Sequence, residues 1–279
     1  MDVVVSGGVR ISYDRVGAGP PVVLSGGLGM PPGVWDFCGL RDALVGAGFE
    51  VVTYSARGVA PSDAPPAPYA VADLAGDLAG LMDALGVTGA TVVGYSLGSL
   101  TTELLARTRP DLVRSLVLLA GAGPLSGVLE ATLRAEEELI ALTGGIPPAY
   151  ATLTVLTSLL PPDTLTQDDA RLREWLALLG EPSDVWTSAD GEIGQTAAAR
   201  DWMRDGDRMA ALAEIRVPAL VLAFEHDTYF PPAGGEAAAA LLPQGEFVRV
   251  AGGAHGGLLT HAKATVEQIV GFVSRTGAA

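Results

Sequence analysis

Three residues of this chain have types and spacing that could carry nucleophilic acyl transfer: a serine, an aspartate and a histidine. Gly94-Tyr95-Ser96-Leu97-Gly98 fits the pattern Gly-x-Ser-x-Gly. In 279 residues with 36 glycines, that match alone is weak, and its setting gives it meaning. An apolar run, Thr91-Val92-Val93, precedes it, and a helical pattern, Leu97–Arg107, follows. A strand that turns sharply into a helix needs small residues on both sides of a strained centre. Such a turn pushes the serine oxygen out at the top of a sheet. The N-terminal dipole of the following helix points at that oxygen and favours developing negative charge.

Serine is a poor nucleophile at neutral pH and needs a base held by a third group. The chain offers three histidines. His226 is wedged between Glu225 and Asp227 at a strand end, and His261 begins the final helical pattern. His255 lies in Gly252-Gly253-Ala254-His255-Gly256-Gly257, just after the last strand pattern. A base must reach across the top of the sheet, and a flexible loop after a strand suits that task, so His255 is the candidate. The acid that buttresses it should follow an earlier strand. Asp227, after Leu220–Phe224, fits, and Glu225 is its near neighbour with a structural role expected. Gly121–Pro124 supplies no competing carboxylate.

The elements that must position these residues alternate. Strand patterns at Val3–Val5, Val9–Asp14, Val22–Ser25, Phe49–Tyr54, Ala90–Tyr95 and Ser115–Ala120 are interleaved with helical ones at Gly33–Gly46, Val71–Leu85 and Leu97–Arg107. The Gly7-Gly8 turn predicts that two antiparallel strands open the sheet. From about Gly121 to Asp207 the pattern is helical only: Leu129–Leu142, Tyr150–Leu160, Gln167–Leu179 and Gln195–Arg204. Alternation then resumes with Val217–Phe224, Gly234–Leu242, Glu246–Val250 and His261–Val273. The expected architecture is α/β, a mostly parallel central sheet with helices on both faces. The helical block reads as a cap, residues 123–206, inserted in a core of residues 1–122 and 207–279. It should cover the C-terminal edge of the sheet, where ligands of open α/β sheets bind.

Composition narrows the partners. With 17 Lys+Arg against 32 Asp+Glu the formal charge is −15, which repels phosphate backbones and anionic membranes. No nucleic-acid or membrane partner is expected, and a small-molecule substrate is. One cysteine, Cys38, leaves no internal disulfide and no multi-cysteine metal site. The longest uncharged stretch, Leu139–Pro162, is broken by Gly144, Gly145, Pro147 and Pro148, leaving about 12 residues, too few to span a bilayer. The first residues lack a basic segment and a long apolar run, so a cytoplasmic monomer or homodimer is expected.

The order Ser96, Asp227, His255 differs from the orders of the two serine-protease types and is that of the α/β-hydrolase fold. With the elbow, the acid, the histidine loop and the helical insertion, the chain resembles the α/β-hydrolase superfamily over nearly its whole length. Its likeness is to the capped serine esterases, including polyketide methylesterases, lactonases and prolyl aminopeptidase-like hydrolases. The resemblance implies an oxyanion hole made by the backbone N–H groups of Leu97 and Gly27. Gly27 lies in Ser25-Gly26-Gly27-Leu28-Gly29, where Ser25 stands in place of the family's usual histidine. A second departure is Ser55-Ala56-Arg57-Gly58-Val59-Ala60-Pro61-Ser62, which keeps the family's arginine, first glycine and serine. The implied reaction is hydrolysis of an ester, lactone or thioester with no metal or organic cofactor. Alternatives are C–C bond hydrolysis, cyclisation or cofactor-free perhydrolysis by the same residues, or a ligand receptor on this fold. Substrate contacts are expected from Gly26, Trp35, Tyr95, Leu156 and Trp175. Cap residues at helical spacing, however, more often build a core than line a pocket.

Overall fold

Among the described residues, 2–180 and 185–277 of the computed structural model, eight strands form one sheet. They are β1 (Asp2–Ser6), β2 (Val9–Val16), β3 (Pro21–Ser25), β4 (Glu50–Tyr54), β5 (Ala90–Tyr95), β6 (Val113–Leu119), β7 (Ala219–Phe224) and β8 (Gly245–Val250). Their order across the sheet is β1-β2-β4-β3-β5-β6-β7-β8. The first two pairings, β1 with β2 and β2 with β4, are antiparallel, and the rest are parallel. Gly7 and Gly8, at φ 55° and 87°, make the tight turn between β1 and β2 with a backbone that L side chains resist.

Alternate residues of the inner strands feed two separate cores. Val23, Val52, Leu116 and Leu118 pack on one face, against helices Val71–Leu85, Leu97–Thr108 and Pro232–Leu241. Val22, Leu24, Val51, Val117 and Leu119 pack on the other, against Leu40–Gly46 and Ala262–Gly277. Both faces are dry, which is why these strands read as apolar runs with no polar alternation.

One segment expected as a single helix, 33–46, is broken, and the helices expected at 167–179 and 261–273 are each preceded by a short helix that was not expected. Gly39, at φ 76°, divides Val34–Phe37 from Leu40–Gly46. Asp168 leaves helical geometry between Pro162–Gln167 and Asp169–Gly180, and its carboxylate accepts from the Arg171 N–H at 3.0 Å. His261 likewise parts Gly257–Thr260 from Ala262–Gly277. Between β6 and β7 the chain runs through Gly127–Thr143, Pro148–Leu159, Pro162–Gln167, Asp169–Gly180 and Ala189–Met203. These helices close over the ends of β3, β5, β7 and β8, and a cavity lies beneath them.

Candidate active site

Ser96 sits between the last residue of β5 and the first of helix Leu97–Thr108, with φ 53° and ψ −117°. A non-glycine residue holds such a backbone only where its surroundings over-determine it. Here the Ser96 N–H donates to the Leu119 carbonyl of β6 at 2.9 Å, and the Ser99 hydroxyl bonds the Gly94 and Leu119 carbonyls at 2.7 and 3.0 Å. At Gly98 a Cβ would run into the carbonyls of Ser25 and Gly26, so only glycine lets the helix approach β3 this closely. Ser96 is thereby pressed towards the loop after β3.

The structure brings Ser96, His255 and Asp227 together. His255 Nε2 lies 3.1 Å from Ser96 Oγ, and His255 Nδ1 lies 2.8 Å from Asp227 Oδ2. The other Asp227 oxygen accepts the N–H groups of Tyr229 and Phe230, each at 2.9 Å. A carboxylate with no donor of its own requires the proton on Nδ1, which leaves Nε2 as an acceptor facing the serine. Asp227 and His255 are both buried. Tyr95 stacks on the imidazole at 5.6 Å, Phe230 at 5.9 Å, and the Tyr229 ring meets it edge-on at 5.2 Å. Those rings pack around the imidazole and limit its rotation.

The backbone around the imidazole is tied down as well. The Tyr95 hydroxyl donates to the His255 carbonyl at 2.9 Å. His255 and Gly256 donate their N–H groups to the Ser158 and Leu159 carbonyls, at the end of helix Pro148–Leu159, at 3.2 and 3.1 Å. Glu225 accepts from the Gly252 N–H at 2.9 Å, a bond that holds its carboxyl below the usual glutamate range and joins the acid loop to the histidine loop. His226 is exposed, and the His261 ring pairs with the Thr260 hydroxyl at 3.0 Å, so neither stands near the serine site.

Gly27 and Leu97 both border the cavity next to Ser96, and a Cβ on Gly27 would come to 3.3 Å from Ser96 Cβ. Leu97 lies in the first turn of its helix, where backbone N–H groups lack helical acceptors. The Gly27 N–H points at the Met30 sulfur, 3.4 Å away, a weak acceptor. Ser25, in the histidine's usual place, bonds the Tyr54 hydroxyl at 2.8 Å beneath the loop.

The cavity has a volume of about 380 Å³, in the range of small-molecule sites. Its wall is mostly apolar: Leu100, Leu129, Leu133, Val155, Leu159 and Leu258 are among its residues. Of the five residues expected to meet substrate, only Tyr95 borders it, and its hydroxyl is already committed to His255. The other four expectations are corrected. Trp35 is sealed in the core with Val22, Leu40 and Leu44, because its helix turns that face to the sheet. Leu156 and Trp175 pack on each other and on Leu160, while Val155, Ser158 and Leu159 of the same helix turn to the cavity. Gly26 lies below the wall, against the Met30 side chain, with its carbonyl facing Gly98.

Two residues with a bearing on the site carry no motif. Among the described residues Glu136 is the one carboxylate on the cavity wall; burial, with Glu192 nearby, pushes its acid up to about 7. The repeat Leu129, Thr132, Leu133, Glu136 puts it on the inward face of helix Gly127–Thr143, a placement readable only once that face is known. Gln195, fully buried, accepts from the Gly29 N–H at 3.0 Å and donates to the Arg57 carbonyl at 2.8 Å. Among the described residues no group of three His, Cys, Asp or Glu side chains could hold a metal ion.

Comparison with known proteins agrees with this architecture. Residues 20–142 match the family model described as alpha/beta hydrolase fold. A Mycobacterium tuberculosis protein described as a non-heme bromoperoxidase, BpoC, is 28% identical over 267 residues, 95% of this chain and 97% of that one. Its crystal structure superimposes with a TM-score of 0.84 over 96% of this chain and 97% of that one. The RutD protein of Caulobacter segnis, described as a carbamate hydrolase, is 31% identical over 254 residues, 90% of each chain. The enol-lactonase of Burkholderia xenovorans LB400 is 26% identical, with a TM-score of 0.77 over 98% of this chain and 100% of that one.

Proposed function

Because the chain belongs to the alpha/beta hydrolase family, we propose that it is a serine hydrolase acting on small, lipophilic carboxylic esters, lactones or thioesters. The observation that carries this reading is the line from Asp227 through His255 to Ser96, joined at 2.8 and 3.1 Å. His255 Nε2 takes the Ser96 proton as the oxygen attacks the carbonyl carbon. Asp227 stabilises the imidazolium that forms. Charge develops on the carbonyl oxygen, which the Gly27 and Leu97 N–H groups receive as the Met30 sulfur gives way to a stronger acceptor. His255 then hands its proton to the leaving alcohol or thiol. A water molecule, deprotonated by the same nitrogen, releases the acid from Ser96.

The wall supports an apolar substrate and, above about pH 7 where Glu136 is ionised, one without an anionic group near the cap. The test is release of p-nitrophenol from p-nitrophenyl acetate and butyrate, with covalent capture of Ser96 by a fluorophosphonate. Turnover no greater than that of Ser96→Ala, together with an unlabelled serine, overturns the reading.

The likeness to a protein described as a non-heme bromoperoxidase favours a second use of the same acyl-enzyme. Hydrogen peroxide in place of water would release the acyl group as a peracid and restore the serine. Peracid formation from ester and peroxide that disappears in Ser96→Ala supports it, and its absence from an enzyme active on the ester removes it.

A further inference from the structure

The loop after β3 and the helix Ala189–Met203 meet at one buried amide. Gln195 has no exposed surface, and its two polar atoms are satisfied by two different loops of the core: the Gly29 N–H at 3.0 Å and the Arg57 carbonyl at 2.8 Å. The Arg57 side is rigid. Its guanidinium is paired with Asp77 through bonds of 2.6 and 2.8 Å. The next residue, Gly58, touches Gly191 backbone to backbone, so a Cβ there would come to 2.6 Å from the Gly191 Cα. Thr187 and Ala60 add main-chain bonds to Gly58 and Val185 at 2.9 and 2.8 Å. The Gly29 side has fewer supports. The turn Gly27–Met30 is closed by one main-chain bond, Met30 N–H to the Gly27 carbonyl at 3.1 Å, with the weak Gly27 N–H to Met30 sulfur contact beside it, and Gly29 rests against the Trp186 ring.

We propose that Gln195 is a positioning residue of the reaction: by tying Gly29 to the anchored Arg57 loop it holds Gly27 as an oxyanion donor and makes a cap helix part of the catalytic apparatus. The inference rests on the serine-hydrolase reading above. The physical reason is the steep dependence of an oxyanion bond on geometry. The donor must lie within hydrogen-bonding distance of the position the oxygen takes in the transition state, and a small displacement forfeits the gain. Without the Gln195 amide, the part-buried Gly29 N–H and Arg57 carbonyl would lose their shared partner, and the turn would shift to find another. The cap holds the other half of the site in the same manner, through the Ser158 and Leu159 carbonyls on the histidine loop. The helical insertion thus reaches both the oxyanion side and the base side.

The test is steady-state kinetics on p-nitrophenyl butyrate with wild type, Gln195→Leu and Gln195→Glu. Hydrogen exchange of the peptide spanning residues 25–31 is measured alongside. Gln195→Leu should lower kcat roughly 10–100-fold with KM changed less than about threefold, the pattern of a lost transition-state contact. Exchange in 25–31 should quicken while the peptide containing His255 is unchanged. A protonated glutamate can make both bonds of the native amide, so the activity of Gln195→Glu relative to wild type should recover as pH falls. If Gln195→Leu does not fold, that pH-dependent recovery in Gln195→Glu carries the test. A folded Gln195→Leu with wild-type kcat overturns the inference alone, and so does a folded Gln195→Glu as impaired as Gln195→Leu at every pH. A wild type inert towards the ester and unlabelled at Ser96 overturns this inference together with the reading beneath it.

Discussion

Ser96 has a positive-φ backbone and is held there by its N–H bond to Leu119 of β6 and by the Ser99 hydroxyl, which bonds the Gly94 and Leu119 carbonyls. Two substitutions test whether its oxygen is used. Ser96→Ala should lower kcat by roughly 10⁴–10⁶ with little change in KM, read as p-nitrophenol release. Asp227→Asn keeps an oxygen for the Tyr229 and Phe230 N–H groups but turns an amide N–H towards His255 Nδ1. The imidazole proton must then move to Nε2, where the base function is lost, and kcat should fall about 10⁴-fold while the melting temperature stays near wild type. A loss below about tenfold would mean that the Asp227 contact serves structure alone. At this scale the sequence was already legible. Ser96, Asp227 and His255 each sit on a strand end or post-strand loop, and strand ends are readable from apolar runs. Trp35, Leu156 and Trp175 were misread because an apolar residue carries no mark of which apolar space it fills.

At the scale of the element, helix Leu97–Thr108 is seated by the absence of a side chain. Gly98→Ala would force the helix away from the Ser25 and Gly26 carbonyls and should cost roughly 1–3 kcal/mol, read as a lower urea midpoint, with activity reduced through the displaced elbow. Helix Gly127–Thr143 carries the opposite situation, a carboxyl where apolar contact is expected. Burial raises the Glu136 acid from its ordinary 4.5 to about 7, so the native state keeps a proton that the unfolded chain releases above pH 4.5. Stability is therefore lost as pH rises from 4.5 to 7, and the penalty is complete above 7. Glu136→Gln should match wild type in stability near pH 4 and exceed it at pH 8 by at most about 3 kcal/mol, measured by urea unfolding at both pH values. A difference independent of pH would assign the effect to packing. The breaks at Gly39, Asp168 and His261 belong to this scale too. The apolar pattern runs on through Gly39, so only that residue's backbone geometry reveals its break, while the helices before Asp168 and His261 are too short to show a period.

The whole molecule is held at the two roots of its helical insertion by one buried cation. Arg208, where the chain returns towards the sheet, donates to the Gly123 carbonyl and to the Gly121 carbonyl at 2.6 and 3.3 Å, where the chain leaves it. It also pairs with Glu103 of helix Leu97–Thr108 at 2.8 Å, both side chains almost fully buried. Removing one partner strands the other charge, so Arg208→Met should cost about 3–5 kcal/mol. Because the staple joins insertion and core, thermal unfolding followed by tryptophan fluorescence and by circular dichroism should fall together to a lower midpoint. A variant as stable as wild type would show the pair to be dispensable. The net charge of −15 acts at this scale as repulsion of polyanions. Among the described residues no helix is long and apolar enough to cross a membrane.

By itself the sequence determined the alternation of strands and helices, the antiparallel opening, the helical insertion and the three residues meeting at 2.8 and 3.1 Å. Those features follow from local rules: apolar runs of period two or 3.6, glycines where a turn is tight, and chemistry at the ends of strands. Only the tertiary structure decided what surrounds them. Glu136 and Gln195 look like any polar residues of exposed helices until the helices are packed. One then lies on a cavity wall, and the other bridges loops 138 and 166 positions away in the chain. The reason is that a buried polar group is defined by its partners, and those partners are brought to it by the fold of distant segments, which no local pattern encodes.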